Sequence, residues 1–227
     1  AGKRENGIEY ASFGLVWKKF AAELCGNQKI SELIDTRLVS PIDAGDNGVD
    51  LVVNKSEVSP YYIQNVFSMM NPTWKEDGAN SDKMFLEAVE IAKTVLLREL
   101  VYAKDALLAE ESLLEIYKKT EDKRIIILDD NYPFEYFLHN FPEPIFAVYP
   151  RKVDGTWGVK AIKSDPKTFD NRKDFPKTWG GLRGEEIAKM SGVSDAVFCH
   201  KGLFMAVAKS KDGAIALAKL ALNNVSY

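Results

Sequence analysis

Histidine and cysteine are both scarce in this chain, with two of each among 227 residues. Two histidines cannot build a histidine-rich metal centre. Cys25 and Cys199 lie far apart with no C-x-x-C spacing, which excludes a disulfide framework and does not frame a zinc site. Both sit among apolar residues and read as buried thiols. A reducing, intracellular setting follows: cytoplasm in a bacterium, nucleus or mitochondrion in a eukaryote. Long apolar runs are also missing. The longest are a few residues, as at 125–128, against about 20 needed to span a bilayer, so no membrane partner is expected. The opening AGKREN has no apolar core of a signal peptide. There is no G-x-x-x-x-G-K-[ST] loop, no G-x-G-x-x-G fingerprint and no G-x-S-x-G elbow. Phosphate-loop, dinucleotide-binding and α/β-hydrolase chemistry are therefore not indicated.

What is present is an uneven charge. The net charge is −3, but residues 1–150 hold 16 basic against 25 acidic residues, a balance of −9. Residues 151–227 hold 14 against 8, a balance of +6. An acidic part suits cations and a basic part suits a polyanion, and a solvated lysine-rich surface accounts for the latter equally well. The length allows one large domain or two smaller ones.

Hydrophobic periodicity divides the chain at 140/141, giving a helical section 1–140 and an α+β section 141–227. Phe13, Val16, Trp17, Phe20 and Leu24 mark one face of a helix that Gly26 and Asn27 end. A shorter helix is expected over 30–39, stopped by Pro41. Ser81 or Asp82 caps a long helix whose apolar positions (Phe85, Val89, Ala92, Leu96, Leu100, Ala103, Leu107) continue to about Lys119. A short buried strand is expected at 124–128. The FPEP run at 141–144 reads as the boundary. Beyond it, strands are expected at 145–149 and 156–162, joined through Asp154 and Gly155. A loop over 163–181 leads to a helix at 185–190 stopped by Gly192. Two more strands follow at 196–199 and 203–208, then a final helix capped by Ser210 with Ala214, Leu217, Ala218 and Ala221 as its stripe. Four strands and two helices make one small sheet with helices on one face.

Four local features bear on chemistry. Asp43 and Asp46, three apart in the run IDAGDNG at 42–48, offer oxygen ligands to a hard divalent cation, while a simple turn explains the same residue types. The run NPTW at 71–74 is a turn whose Trp74 would plug a cleft. His139 reads as structural. His200, between a strand end and Gly202, stands where a phosphate ligand or general acid would, or is merely hydrogen-bonded in its loop. Arg172, Lys173, Lys177 and Arg183 surround Trp179, which suits a nucleotide backbone with a stacked base, or a solvated loop.

Read in order, these runs resemble one family, MYG1, also catalogued as UPF0160. GLVWK at 14–18, IDAGDNG at 42–48, NPTW at 71–74, ILD with YPF at 127–134, WGVKA at 157–161, WGGLRGEE at 179–186, VFCH at 197–200 and the final helix are each similar to its motifs, collinear over nearly the whole chain. The resemblance implies an α/β domain of the DHH phosphoesterase type, present here in part and mostly helical, followed by a smaller α+β domain with a short sheet. It implies a metal-dependent phosphoesterase, a 3′–5′ exonuclease acting on RNA or single-stranded nucleic acid, with manganese or magnesium as cofactor. Asp43 and Asp46 are carried over as metal ligands, and His200, Arg172, Arg183, Trp179 and Lys173 as substrate-binding residues. The family's HDGTFHADE and DHH runs do not occur in this sequence, and Gly45 stands where the family has a branched residue. The expectation for this chain alone is an inactive metal site, and the competing reading is a non-catalytic binding protein on the same scaffold.

Overall fold

The computed structural model describes residues 2–54, 56–76, 78–166 and 168–224. The chain is an α+β protein with two compact units, the first ending at Leu107 and the second beginning at Leu108.

In the first unit α1 (Ser12–Cys25) ends as expected on Gly26 in the left-handed region. It buries a different stripe from the most hydrophobic one: Gly14, Trp17, Ala21 and Cys25 face inward, and Val16, Phe20 and Leu24 face out. The small Gly14 and Ala21 let neighbouring chain approach closely, which a larger stripe would prevent. α2 (Gln28–Ile34) starts on Asn27, whose side chain accepts from the Lys29 and Ile30 amides. Pro41 does not stop the helical run. A π-turn over Asp35–Val39 leads directly into α3 (Ser40–Asp46), with Pro41 in its first turn. The missing proline N–H costs nothing where the hydrogen-bond register has already shifted. The acidic run at 42–48 is thus largely helix. α4 (Ile63–Met69) was not legible in the sequence. α5 (Ser81–Lys119) is one uninterrupted helix of 39 residues, and the unit division falls inside it. Trp17, Ala21, Cys25, Ile30, Ile34 and Val39 pack with Leu100 and Ala103 of α5. Trp74 is 89% exposed and plugs no cleft.

The second unit carries a mixed five-stranded sheet in the order β1-β2-β3-β5-β4. β1 (Ile125–Ile127) pairs parallel to β2 (Phe146–Pro150), with Ile126 opposite Ala147. β2 forms an antiparallel hairpin with β3 (Trp157–Ala161), as the Asp154–Gly155 turn foretold. β3 pairs with β5 (Met205–Ala208), and β5 with the outermost β4 (Ala196–Cys199). The division at 140/141 misplaced β1 and α6 (Phe134–His139): a proline-rich run reads as a linker, yet it is an internal turn of this unit. Both sheet faces are covered, where one was expected. One face packs Phe146, Val148, Val159 and Ala206 against Phe175, Trp179, α7 (Gly184–Ser191) and α8 (Lys211–Asn223). On the other, Ile126 and Ala147 meet Ala109 and Leu113 of α5 and Phe134 and Leu138 of α6. Farther across, that second face carries Lys160, Met205 and Phe198, all partly exposed.

Candidate functional site

Asp43 sits inside α3 and is fully buried. Its Oδ1 accepts from the Gly14 amide of α1 at 2.9 Å. Its Oδ2 lies 2.8 Å from a terminal nitrogen of Arg4. Oδ2 accepts no hydrogen bond, but at that separation the attraction of opposite charges does not need hydrogen-bond geometry. Arg4 also donates through Nε and NH2 to both oxygens of Asp35, at 2.7 and 2.8 Å. Asp35 lies in the π-turn. An α-turn takes 3.6 residues and a π-turn about one more, so eight residues complete two turns and Asp35 and Asp43 share a face. The guanidinium side chain is 5% exposed, with the Tyr10 ring over it at 4.2 Å. Burial lowers the Arg4 pKa, but the hydrogen bonds to Asp35 and the negative charges of Asp35 and Asp43 outweigh it and hold the guanidinium above its usual range. Asp46, three residues on, is exposed. The structure therefore does not turn Asp43 and Asp46 toward one cation. Among the described residues no group of three or more His, Cys, Asp or Glu is placed to hold a metal. These donors do not fit a divalent metal centre.

The expected substrate residues separate into two sets. Trp179 is 5% exposed, in the core beside Phe175 at 6.2 Å between ring centroids. It has no free face for a base. Arg172 turns inward and donates to the carbonyls of Phe141, Pro144 and His139 at 2.6, 2.9 and 2.9 Å, closing α6 and the turn after it. Burial lowers its pKa. Lys173 donates from Nζ to the carbonyl of Leu222 at 2.7 Å, near the end of α8. These three are structural. Sequence adjacency could not reveal this, because main-chain carbonyls carry no side-chain signature.

The remaining residues meet at the outer edge of β4. The Gly181 amide donates to the Cys199 carbonyl, and the Cys199 amide to the Leu182 carbonyl, which lays residues 181–183 along the strand. Gly180 is close enough that a Cβ there would lie 2.9 Å from Leu203 and 3.5 Å from the Lys201 carbonyl. Lys177, Arg183, His200 and Lys201 are all exposed. Arg183 rests over the Phe198 ring at 5.4 Å, and the His200 ring lies 4.3 Å from Phe204. Nδ1 of His200 accepts from the Gly202 amide at 2.9 Å, which places the proton of the neutral ring on Nε2. Leu203 takes a left-handed conformation, φ 57°, a strained choice for a branched residue that turns the chain sharply into β5. Among the described residues none of these four side chains forms an ion pair. Glu185 and Glu186 stand in the first turn of α7 and bound the cationic strip on that side. Phe198 and Phe204 were not foreseen; for Phe198 the pattern of β4 was the available signal, and Phe204 lies in the loop before β5.

The fold and this edge define a two-unit α+β protein with a cationic, aromatic-lined rim suited to anionic ligands. The chain belongs to the uncharacterised protein family UPF0160, MYG1, whose sequence profile matches residues 2–222. It is similar to the rat protein named MYG1 exonuclease, at 25% identity over 95% of this chain and 61% of that protein. The human MYG1 exonuclease is 24% identical over 97% of this chain and 64% of that protein. The MYG1 protein of Dictyostelium discoideum is 28% identical over 95% and 73% respectively. The chain thus spans under two thirds of the length of these mammalian relatives. No solved structure matches it.

Proposed function

We propose that this chain belongs to an exonuclease-type phosphodiesterase acting on RNA or single-stranded nucleic acid, and that its second unit holds the substrate. The observation that carries the reading is the rim at β4: four cationic or proton-donating side chains that form no ion pair among the described residues, beside two partly exposed aromatic rings. The names of the rat and human relatives support it. In this reading Arg183 and Lys201 neutralise successive phosphates, and Lys177 adds charge beside them. His200 donates from Nε2 to a phosphate oxygen, its ring held by Gly202 and Phe204. Phe198 and Phe204 offer faces to unstacked bases. Arg172, Lys173 and Trp179 hold the scaffold. For a protein as long as the relatives, the proposal includes a divalent ion, manganese or magnesium, with ligands other than the Asp43 and Asp46 of this chain.

The test is fluorescence anisotropy of a labelled single-stranded RNA oligonucleotide with the full chain across a salt series. Affinity should fall as salt rises. Arg183→Ala and Lys201→Ala should each reduce the slope of log K against log salt by about 0.7 for each phosphate that is no longer neutralised. No binding at low salt, or a slope untouched in the double variant, overturns the assignment of this rim.

A further inference from the structure

We infer that Arg4 is the resident cation of the Asp35–Asp43 pair, so that its guanidinium and a divalent metal are mutually exclusive occupants of one place. The same nitrogen, NH2, lies 2.8 Å from Asp35 Oδ1 and 2.8 Å from Asp43 Oδ2. A metal sharing those two oxygens would have to sit where that nitrogen sits, since metal–oxygen bonds run about 2.0–2.6 Å. The guanidinium is not a loose surface group. Its side chain is 5% exposed, the Tyr10 ring covers it, and Nε and NH2 are both committed to Asp35. Its NH1 is buried with no hydrogen-bond partner, so a desolvated positive donor remains in the site and opposes a second cation. Asp43 Oδ1 is taken by the Gly14 amide, and Oδ2 is the oxygen that faces Arg4.

Two consequences separate this arrangement from an ordinary structural ion pair. With Arg4 in place, metal has no entry to Asp43. With the guanidinium removed, two carboxylates are left facing each other with nothing between them, and that pair should recruit a cation. The inference does not rest on the rim of the second unit, so either can fail alone.

The experiment is manganese binding to the full chain, followed by the free-ion electron paramagnetic resonance signal and by paramagnetic broadening of the Gly14 amide in NMR. In the wild-type chain, equimolar manganese should leave the Gly14 amide sharp. Arg4→Met should bind one ion about tenfold or more tighter than wild type and broaden that amide. Arg4→Met/Asp35→Asn should lose the gain. Arg4→Lys, which keeps the charge, should behave like wild type. Broadening of the Gly14 amide in wild type with one bound ion overturns the inference. So does a folded Arg4→Met chain that binds no tighter than wild type. If Arg4→Met does not fold by circular dichroism, the wild-type Gly14 amide and Arg4→Lys decide the matter.

Discussion

Replacing Gly14 by alanine should destabilise the first unit, although it improves the helix. At an exposed helical site glycine-to-alanine gains about 1 kcal/mol. Here a Cβ would lie 1.8 Å from Asp43 Oδ2 and 2.7 Å from Arg4 NH2. Neither atom has room to retreat. Asp43 is short, fully buried and held from the other side by the Gly14 amide itself. Arg4 is clamped by Asp35 and Tyr10. The added methyl must therefore part the Asp43–Arg4 pair, and breaking a buried pair costs about 3–5 kcal/mol. Subtracting the helix gain leaves a loss of about 2–4 kcal/mol. Urea denaturation read by hydrogen exchange of α1 amides isolates the first unit. The midpoint should drop by about 1–2 M at a typical slope of about 2 kcal/mol per M. A Gly14→Ala chain as stable as wild type, or more so, would show that Asp43 and Arg4 are not locked together as described.

Trp179→Ala should cost about 3–5 kcal/mol of stability, as a large buried aromatic does, measured by thermal or urea unfolding; a fully stable variant with weakened RNA binding would return Trp179 to the binding surface. Arg172→Met should cost about 2–4 kcal/mol, because three carbonyls lose a charged donor, with hydrogen exchange rising around 137–144 and RNA affinity unchanged in the folded protein. Burial pushes the Cys199 thiol up to about 12. Between its unfolded value of about 8.5 and that value the unfolded chain has lost a proton that the folded chain keeps. Its contribution is therefore complete below about pH 8.5 and is lost as pH rises toward 12, and Cys199→Ala should flatten that decline in a pH series of unfolding midpoints.

The elements legible in the sequence were those with local causes. α5 announced itself by a long 3.6-residue period, α8 by Ser210, α7 by Gly192 in the left-handed region, and the β2–β3 hairpin by Asp154 and Gly155. The errors came where a local signal has two meanings. Pro41 ends a helix unless the hydrogen-bond register has already shifted, and the π-turn before it supplied that shift. The prolines of 141–144 mark a linker unless a distant side chain, here Arg172, satisfies the carbonyls of the turn.

From the sequence alone came the family resemblance, the α+β class and the polarity of charge along the chain, because these follow from order, count and short-range pattern. Only the tertiary structure decided which charges were free. Arg4 and Asp43 are 39 positions apart, and Arg172 reaches carbonyls 28 to 33 positions away. Whether a cation binds a ligand or spends its charge inside the fold depends on which partners lie within about 3 Å, and that distance is set by packing between elements remote in sequence.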